Sequence, residues 1–180
     1  MPASTFRATL NLDLLLTEIV SGGLQNGPIP SRFLEAFPLP NGTSDGQINV
    51  GYYKRESGIA NTTTAYDLVG SLTNISGTVI NFDEIVLIAI KNLSTTAANY
   101  LTIGPDATNG FGAISGNKGF WSAALGSGGG TVVAADGGCW TVFHSYTGVP
   151  ATAGTADKLS VVTTGTSANT WDIIIIGRDN

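Results

Sequence analysis

Charge is what this sequence has least of. Only 12% of its 180 residues are Asp, Glu, Lys or Arg, against about 25% in an ordinary globular chain. Thr, Ser, Asn and Gly supply the polar surface instead. Such a surface suits a rigid β protein, or one covered in an assembly. The net charge is −5 and the pI about 4.5. Lys54-Arg55 is the densest basic spot. This balance argues against direct binding to nucleic acid or to an anionic membrane. Cys139 is the only cysteine, which excludes an intrachain disulfide and Cys-rich zinc sites. The longest apolar runs, "IVLIAI" and "IIII", are far too short to span a bilayer. The N-terminus "MPASTFRATL" lacks a basic segment followed by an apolar core, so no secretory signal is expected. Four Asn-x-Ser/Thr sequons begin at Asn41, Asn61, Asn74 and Asn92. In a chain this rich in Asn and Thr they arise by chance.

What is present is apolar patterning. An apolar share of 42% suffices for a real core, and this length suggests one domain with room for an arm. The character changes near residue 66. In "LNLDLLLTEIV", Leu10, Leu12, Leu14 and Leu16 alternate with Asn11 and Asp13, which favours a strand. Leu12, Leu15, Leu16, Ile19 and Val20 also fit one helix face. Pro28, Pro30, Pro38 and Pro40 follow, with Ile29, Phe33, Leu34, Phe37 and Leu39 between them. Prolines at this density should prevent regular pairing and hold the backbone extended. Residues 1–66 are therefore expected to form an extended N-terminal arm or assembly segment. It lies over another molecule or wraps its own domain; both readings stand at this stage.

From Asp67 to Asn180 short apolar segments recur with Gly-rich turns: "YDLVGSL", "GTVINF", "EIVLIAIKNLS", "NYLTIG", "GFWSAAL", "TVVAAD", "CWTVFHS", "DKLSVVTT" and "TWDIIIIG". Spacings of roughly 8–12 residues indicate an all-β sandwich or jelly roll over residues 67–180. Segments 84–91 and 171–177 are apolar on both faces rather than on one. Strands of that kind need both faces covered and should lie centrally. Ile173 and Ile175 then face one way, Ile174 and Ile176 the other. Both pairs are expected to be buried, one by the facing sheet and one by the arm or another subunit.

Catalytic groupings are missing. His144 is the only histidine; Ser145 and Asp136 are its only triad candidates nearby, and adjacent strand residues point to opposite faces. "GSGGGT" (126–131) lacks the Lys-Ser/Thr of a phosphate loop and precedes a strand. Asp83-Glu84 is an adjacent acidic pair with no second carboxylate placed opposite it. No D-x-D-x-D-like calcium loop occurs. Trp121, Trp140 and Trp171 sit among apolar residues, which favours packing over sugar stacking. No catalytic residue, cofactor or metal is expected.

The stretch from residue 67 onward resembles jelly-roll virion structural proteins of tailed bacteriophages. The resemblance rests on "DLVGSLTN…GTVINFDEIVLIAIKNLS", "NYLTIG", "DGGCWTVF" and "GTADKLSVVTTGTSANTWDIIIIG". Asp136 stands where that family usually has Pro before the Gly-Gly turn. The resemblance implies a non-enzymatic capsid decoration (cement) protein on the virion surface, made in the host cytoplasm and often trimeric. Its partners would be the major capsid protein or other virion proteins. A tail, collar or fibre component is the neighbouring alternative. Phe33, Phe37, Leu39, Ile174 and Ile176 are the expected assembly-interface residues. A carbohydrate- or receptor-binding module is the rival of a different class. It would need exposed aromatics such as Phe111, Phe120 and Trp121.

Overall fold

The computed structural model describes residues 8–20, 27–74, 76–112, 130–144 and 146–180. The chain is all-β. Its strands are β1 (Ala8–Val20), β2 (Gly27–Leu39), β3 (Val50–Gly58), β4 (Thr63–Asp67), β5 (Val69–Thr73), β6 (Val79–Asn81), β7 (Glu84–Asn92), β8 (Tyr100–Pro105), β9 (Thr131–Val133), β10 (Cys139–Phe143), β11 (Val149–Pro150), β12 (Lys158–Thr164) and β13 (Asn169–Arg178).

Two antiparallel sheets face each other. One has the order β10-β7-β13-β3, with β11 beside β7; the other has the order β4-β12-β8-β9. Tyr52, Ile88, Ile90, Trp171, Ile173 and Ile175 from the first meet Tyr66, Leu101, Ile103, Val133, Leu159 and Val161 from the second in one core. Leu68, Leu72, Ile80 and Phe82, in and beside the β5–β6 hairpin, join the same core. The continuously apolar strands β7 and β13 are neighbours at the centre of their sheet, as their composition requires. Among the eight main strands the chain changes sheet at every step but β8 to β9.

The expected boundary at residue 66 is corrected. β3 pairs with β13 along its whole length, from Val50↔Gly177 to Gly58↔Asn169, and β4 pairs with β12. The sandwich therefore begins near residue 48. Lys54, Arg55 and Glu56 gave β3 a polar look in sequence, but an edge strand carries charge for good reason.

The proline-rich segment is also corrected. Residues 8–20 form a strand, and β2 pairs with them over thirteen positions, from Ala8↔Leu39 to Val20↔Gly27. Antiparallel partners alternate between pairs that exchange hydrogen bonds and pairs whose amides point outward. Pro28, Pro30 and Pro38 share one parity, opposite Ile19, Thr17 and Thr9. All three occupy outward-pointing positions, so they remove no bond from the ladder. Proline density argued against a strand; proline spacing permits one.

Short motifs hold the strand ends. Fully buried Asn92 donates to the carbonyls of Asn99 (3.1 Å) and Val133 (3.2 Å), and its Oδ1 accepts from Ser94 N–H (3.0 Å). This explains the Asn-x-Ser step after β7. Asn92→Ala should destabilise the fold by roughly 2 kcal/mol, because two buried carbonyls and an N–H lose partners; a melt unchanged within error would contradict that role. Asp136 has φ 60° and Gly137 φ 84°. Proline cannot adopt that φ, so this turn would not tolerate it at residue 136.

Trp171 Nε1 donates to the Tyr66 hydroxyl (2.9 Å) in the core. Burial pushes the Tyr66 hydroxyl far up, and burial with the Glu56 charge raises Tyr52 to about 12. Both hydroxyls are protonated when folded at pH values where an unfolded tyrosine, near pKa 10, ionises. The folded state then binds more protons than the unfolded one, so stability falls as pH rises. Denaturant midpoints should be flat from about pH 8 to about 10 and decline from there toward about 12. A rising or flat profile across that window would contradict the burial of these rings.

Candidate assembly surface

The outer face of the β10-β7-β13-β3 sheet is built in rows fixed by register. Gly51, Ile176, Leu87 and Phe143 form the first; Tyr53, Ile174, Ala89 and Thr141 the second; Arg55, Asp172, Lys91 and Cys139 the third. The rows run from apolar to charged.

The root of the β1–β2 ribbon covers the first row. Leu39, Ile48 and Val86 are buried together, with Ala8, Phe143 and Ile176 packed against them. The Phe37 and Phe143 rings lie 5.2 Å apart, tilted by 58°, a favourable aromatic geometry. The ribbon's cross-strand register shows why this end is sticky. Ala8, Leu10, Phe37 and Leu39 share one face and are at least half-buried, whereas Thr9, Asn11, Ala36 and Pro38 share the other and are exposed.

The second row is only partly covered. Ile174 is 37% and Tyr53 52% exposed. A groove of about 190 Å³ runs between the ribbon root (Ala8, Thr9, Leu10, Leu39) and Leu87, Ala89, Thr141, Ile174 and Ile176. Within this chain the two isoleucine pairs differ in cover. Ile173 and Ile175 are fully buried, Ile176 is half-buried under the ribbon root, and Ile174 stands at the groove's open side. The ribbon root is too narrow to reach a whole sheet face.

The third row closes the apolar region. Arg55 donates to both carboxylate oxygens of Asp172, from Nε (2.8 Å) and Nη2 (2.9 Å). Those bonds hold the Asp172 carboxyl below the usual carboxylate range. The pair is exposed and adds little stability; it sets the polar rim of the surface.

Arg178 locks the ribbon's exit to the sandwich. The register shift after Ile176 is a bulge at Val86 of β7, so β13 keeps its alternation and Arg178 shares the outer face of Ile174 and Ile176, where the turn after β2 and the loop after β10 cover it. A Cβ on Gly177 would collide with the Glu84 carbonyl, so the bulge needs glycine opposite it. The guanidinium is fully buried. Its Nε donates to Glu84 Oε2 (2.6 Å), and Nη1 donates to the carbonyls of Ser44 (3.3 Å), Gln47 (3.1 Å) and Tyr146 (3.2 Å). Nη2 donates to the Thr147 carbonyl. One side chain thus joins the turn after β2, the loop after β10, and the start of β7. A charge two residues from the C-terminus reads in sequence as solvated, and nothing local signals that loops cover it.

Of the expected interface residues, Phe37, Leu39, Ile174 and Ile176 come together here. Phe33 pairs with Leu14 in the ribbon; its side chain lies outside the described residues. Ile48 and Val86, fully buried, and Phe143, packed against them, form the base beneath this surface and were not anticipated.

The other candidates disperse. Asp136 precedes β10 and His144 follows it, so a strand of roughly 17 Å separates them; Ser145 lies outside the described residues. Asp83 Oδ2 accepts from Asn180 N–H (2.7 Å), and Glu84 is engaged by Arg178. Trp171 is fully buried and Trp140 packs against the core. Phe111 is fully buried, not exposed as a sugar platform requires. Phe120, Trp121, the segment "GFWSAAL" and most of "GSGGGT" lie outside the described residues. No group of three or more potential metal ligands occurs among the described residues, and no described helix is long and apolar enough to cross a membrane.

No family model and no curated protein matches the chain. A solved structure described as "Crystal Structure of FLHE" matches at 13% identity and a TM-score of 0.32, over 72% of this chain and 98% of that one. At that score the likeness carries no argument.

Proposed function

We propose that this chain is a non-enzymatic structural protein of a tailed-bacteriophage virion. In this reading it is a capsid decoration (cement) protein that seats on the major capsid lattice as a homo-oligomer, a trimer by the resemblance. One observation carries the reading. A complete sandwich bears a long ribbon that its own core does not need, rooted on a partly open apolar sheet face. Two further points support it. The strand orders β10-β7-β13-β3 and β4-β12-β8-β9 match what two interlocked Greek keys of a jelly roll would give. The low charge suits a surface covered by neighbours.

Imaging of phage particles decorated with labelled full-length chain tests this. Density at regular capsid-lattice positions is the expected result. Density on the tail, collar or fibres, or none on particles, would overturn the capsid assignment.

A further inference from the structure

The β1–β2 ribbon has two free edges, and they differ. Among the described residues neither strand pairs with a third. On β2 the outward-pointing backbone positions are Pro28, Pro30, Arg32, Leu34, Ala36 and Pro38. Three of these six lack an N–H, so this edge cannot accept a further strand in regular register. On β1 the outward positions are Thr9, Asn11, Asp13, Leu15, Thr17 and Ile19. None is proline; the edge offers an unbroken row of donors and acceptors along a strand of roughly 43 Å. Two-stranded ribbons are marginal alone, and a third or fourth strand makes them stable.

We infer that β1 pairs antiparallel, edge to edge, with β1 of a second copy of this chain. The inference rests on the assembly reading above and names the partner of its ribbon. Closure selects this occupant. A foreign strand added to β1 would leave a new open edge. A second copy's β1 brings its own β2, giving a four-stranded sheet β2-β1-β1′-β2′ whose outer edges are both barred by proline. The contact is isologous, the same strand on both sides, so it closes the sheet at two copies and, in the trimer reading, joins one trimer to another. It uses backbone groups that the outer sheet face does not, so it joins copies independently of any contact at Ile174.

Proline substitution on the β1 edge provides the test, with β2 as the precedent for its tolerance. Asp13→Pro and Thr17→Pro each remove an outward N–H and spare the β1–β2 ladder. In the full-length chain, amide exchange should be slow at Asn11, Asp13, Leu15 and Thr17 at concentrations where sedimentation shows association. Each proline variant should weaken that association by about tenfold or more and leave the melting midpoint of the sandwich in place. Pro28→Val with Pro30→Val should unbar the other edge and yield larger, open-ended species. Fast exchange at the four β1 amides in the associated chain would overturn the inference. So would Thr17→Pro associating like wild type, or a wild-type chain monomeric at every concentration. If any of these occurs while labelled wild type still decorates particles, the capsid reading stands and the β1 pairing alone falls.

Discussion

Replacing Arg178 by methionine should lower the melting temperature by on the order of 10 °C. The side chain is fully buried, and its partners are the Glu84 carboxylate and the carbonyls of Ser44, Gln47, Tyr146 and Thr147. Methionine fills much of the volume but strands those acceptors and the Glu84 charge. Breaking a buried pair from one side costs about 3–5 kcal/mol, and in a domain of this size each kcal/mol moves the midpoint by roughly 2–4 °C. Double replacement, Arg178→Met with Glu84→Met, should recover part of the loss, because the half-buried Glu84 charge goes with its partner and the remaining one, Asp45 at 3.7 Å, is exposed to water. The decline should persist in high salt, since a buried pair is poorly screened. A shift below about 2 °C for Arg178→Met would mean that the turn after β2 holds its place without this contact.

The second large effect separates the two sides of β13. Ile175→Asp places a carboxylate in the fully buried core and should remove about 3–5 kcal/mol or more, leaving the chain unfolded or partly folded at 25 °C. Ile174→Asp puts the same carboxylate on the partly open outer face, beside Tyr53 and the groove. It should keep a cooperative melt with a midpoint near that of wild type and sediment as a smaller species than wild type, since only the contact through the outer face is lost. Equal destabilisation by both would mean that Ile174 is covered by the chain itself. An Ile174→Asp chain that associates and binds particles like wild type would remove the outer face from the assembly.

The two central strands were legible because their composition has one physical solution. "EIVLIAI" and "IIII" are apolar on both faces, and only the middle of a sheet covers both. Alternation also placed Ile173 and Ile175 on one side and Ile174 and Ile176 on the other. The extent of cover on the second side was not legible, since it depends on the width of the ribbon root. The domain boundary was misread for a related reason. β3 carries Lys54, Arg55 and Glu56 because it is an edge, and an edge strand resembles a linker when read alone. The prolines of β2 carried their signal in parity rather than in number, and parity means something only once β1 is beside them. Arg178 was out of reach, because its cover comes from the turn after β2 and the loop after β10, segments more than thirty residues away in sequence. Of the expected interface residues, Phe37, Leu39 and Ile176 converge through packing between segments more than a hundred residues apart, and apolarity alone drew attention to them.

Hydrogen–deuterium exchange on the full-length chain, free and bound to phage particles, tests the central claim that the ribbon and the outer β10-β7-β13-β3 face form the assembly surface. Binding should slow exchange in residues 8–20 and 27–39 and in the backbone around Tyr53, Ala89 and Ile174, with β4, β8, β9 and β12 unchanged. Protection confined to the outer face of the β4-β12-β8-β9 sheet, with the ribbon exchanging as in the free chain, would contradict it.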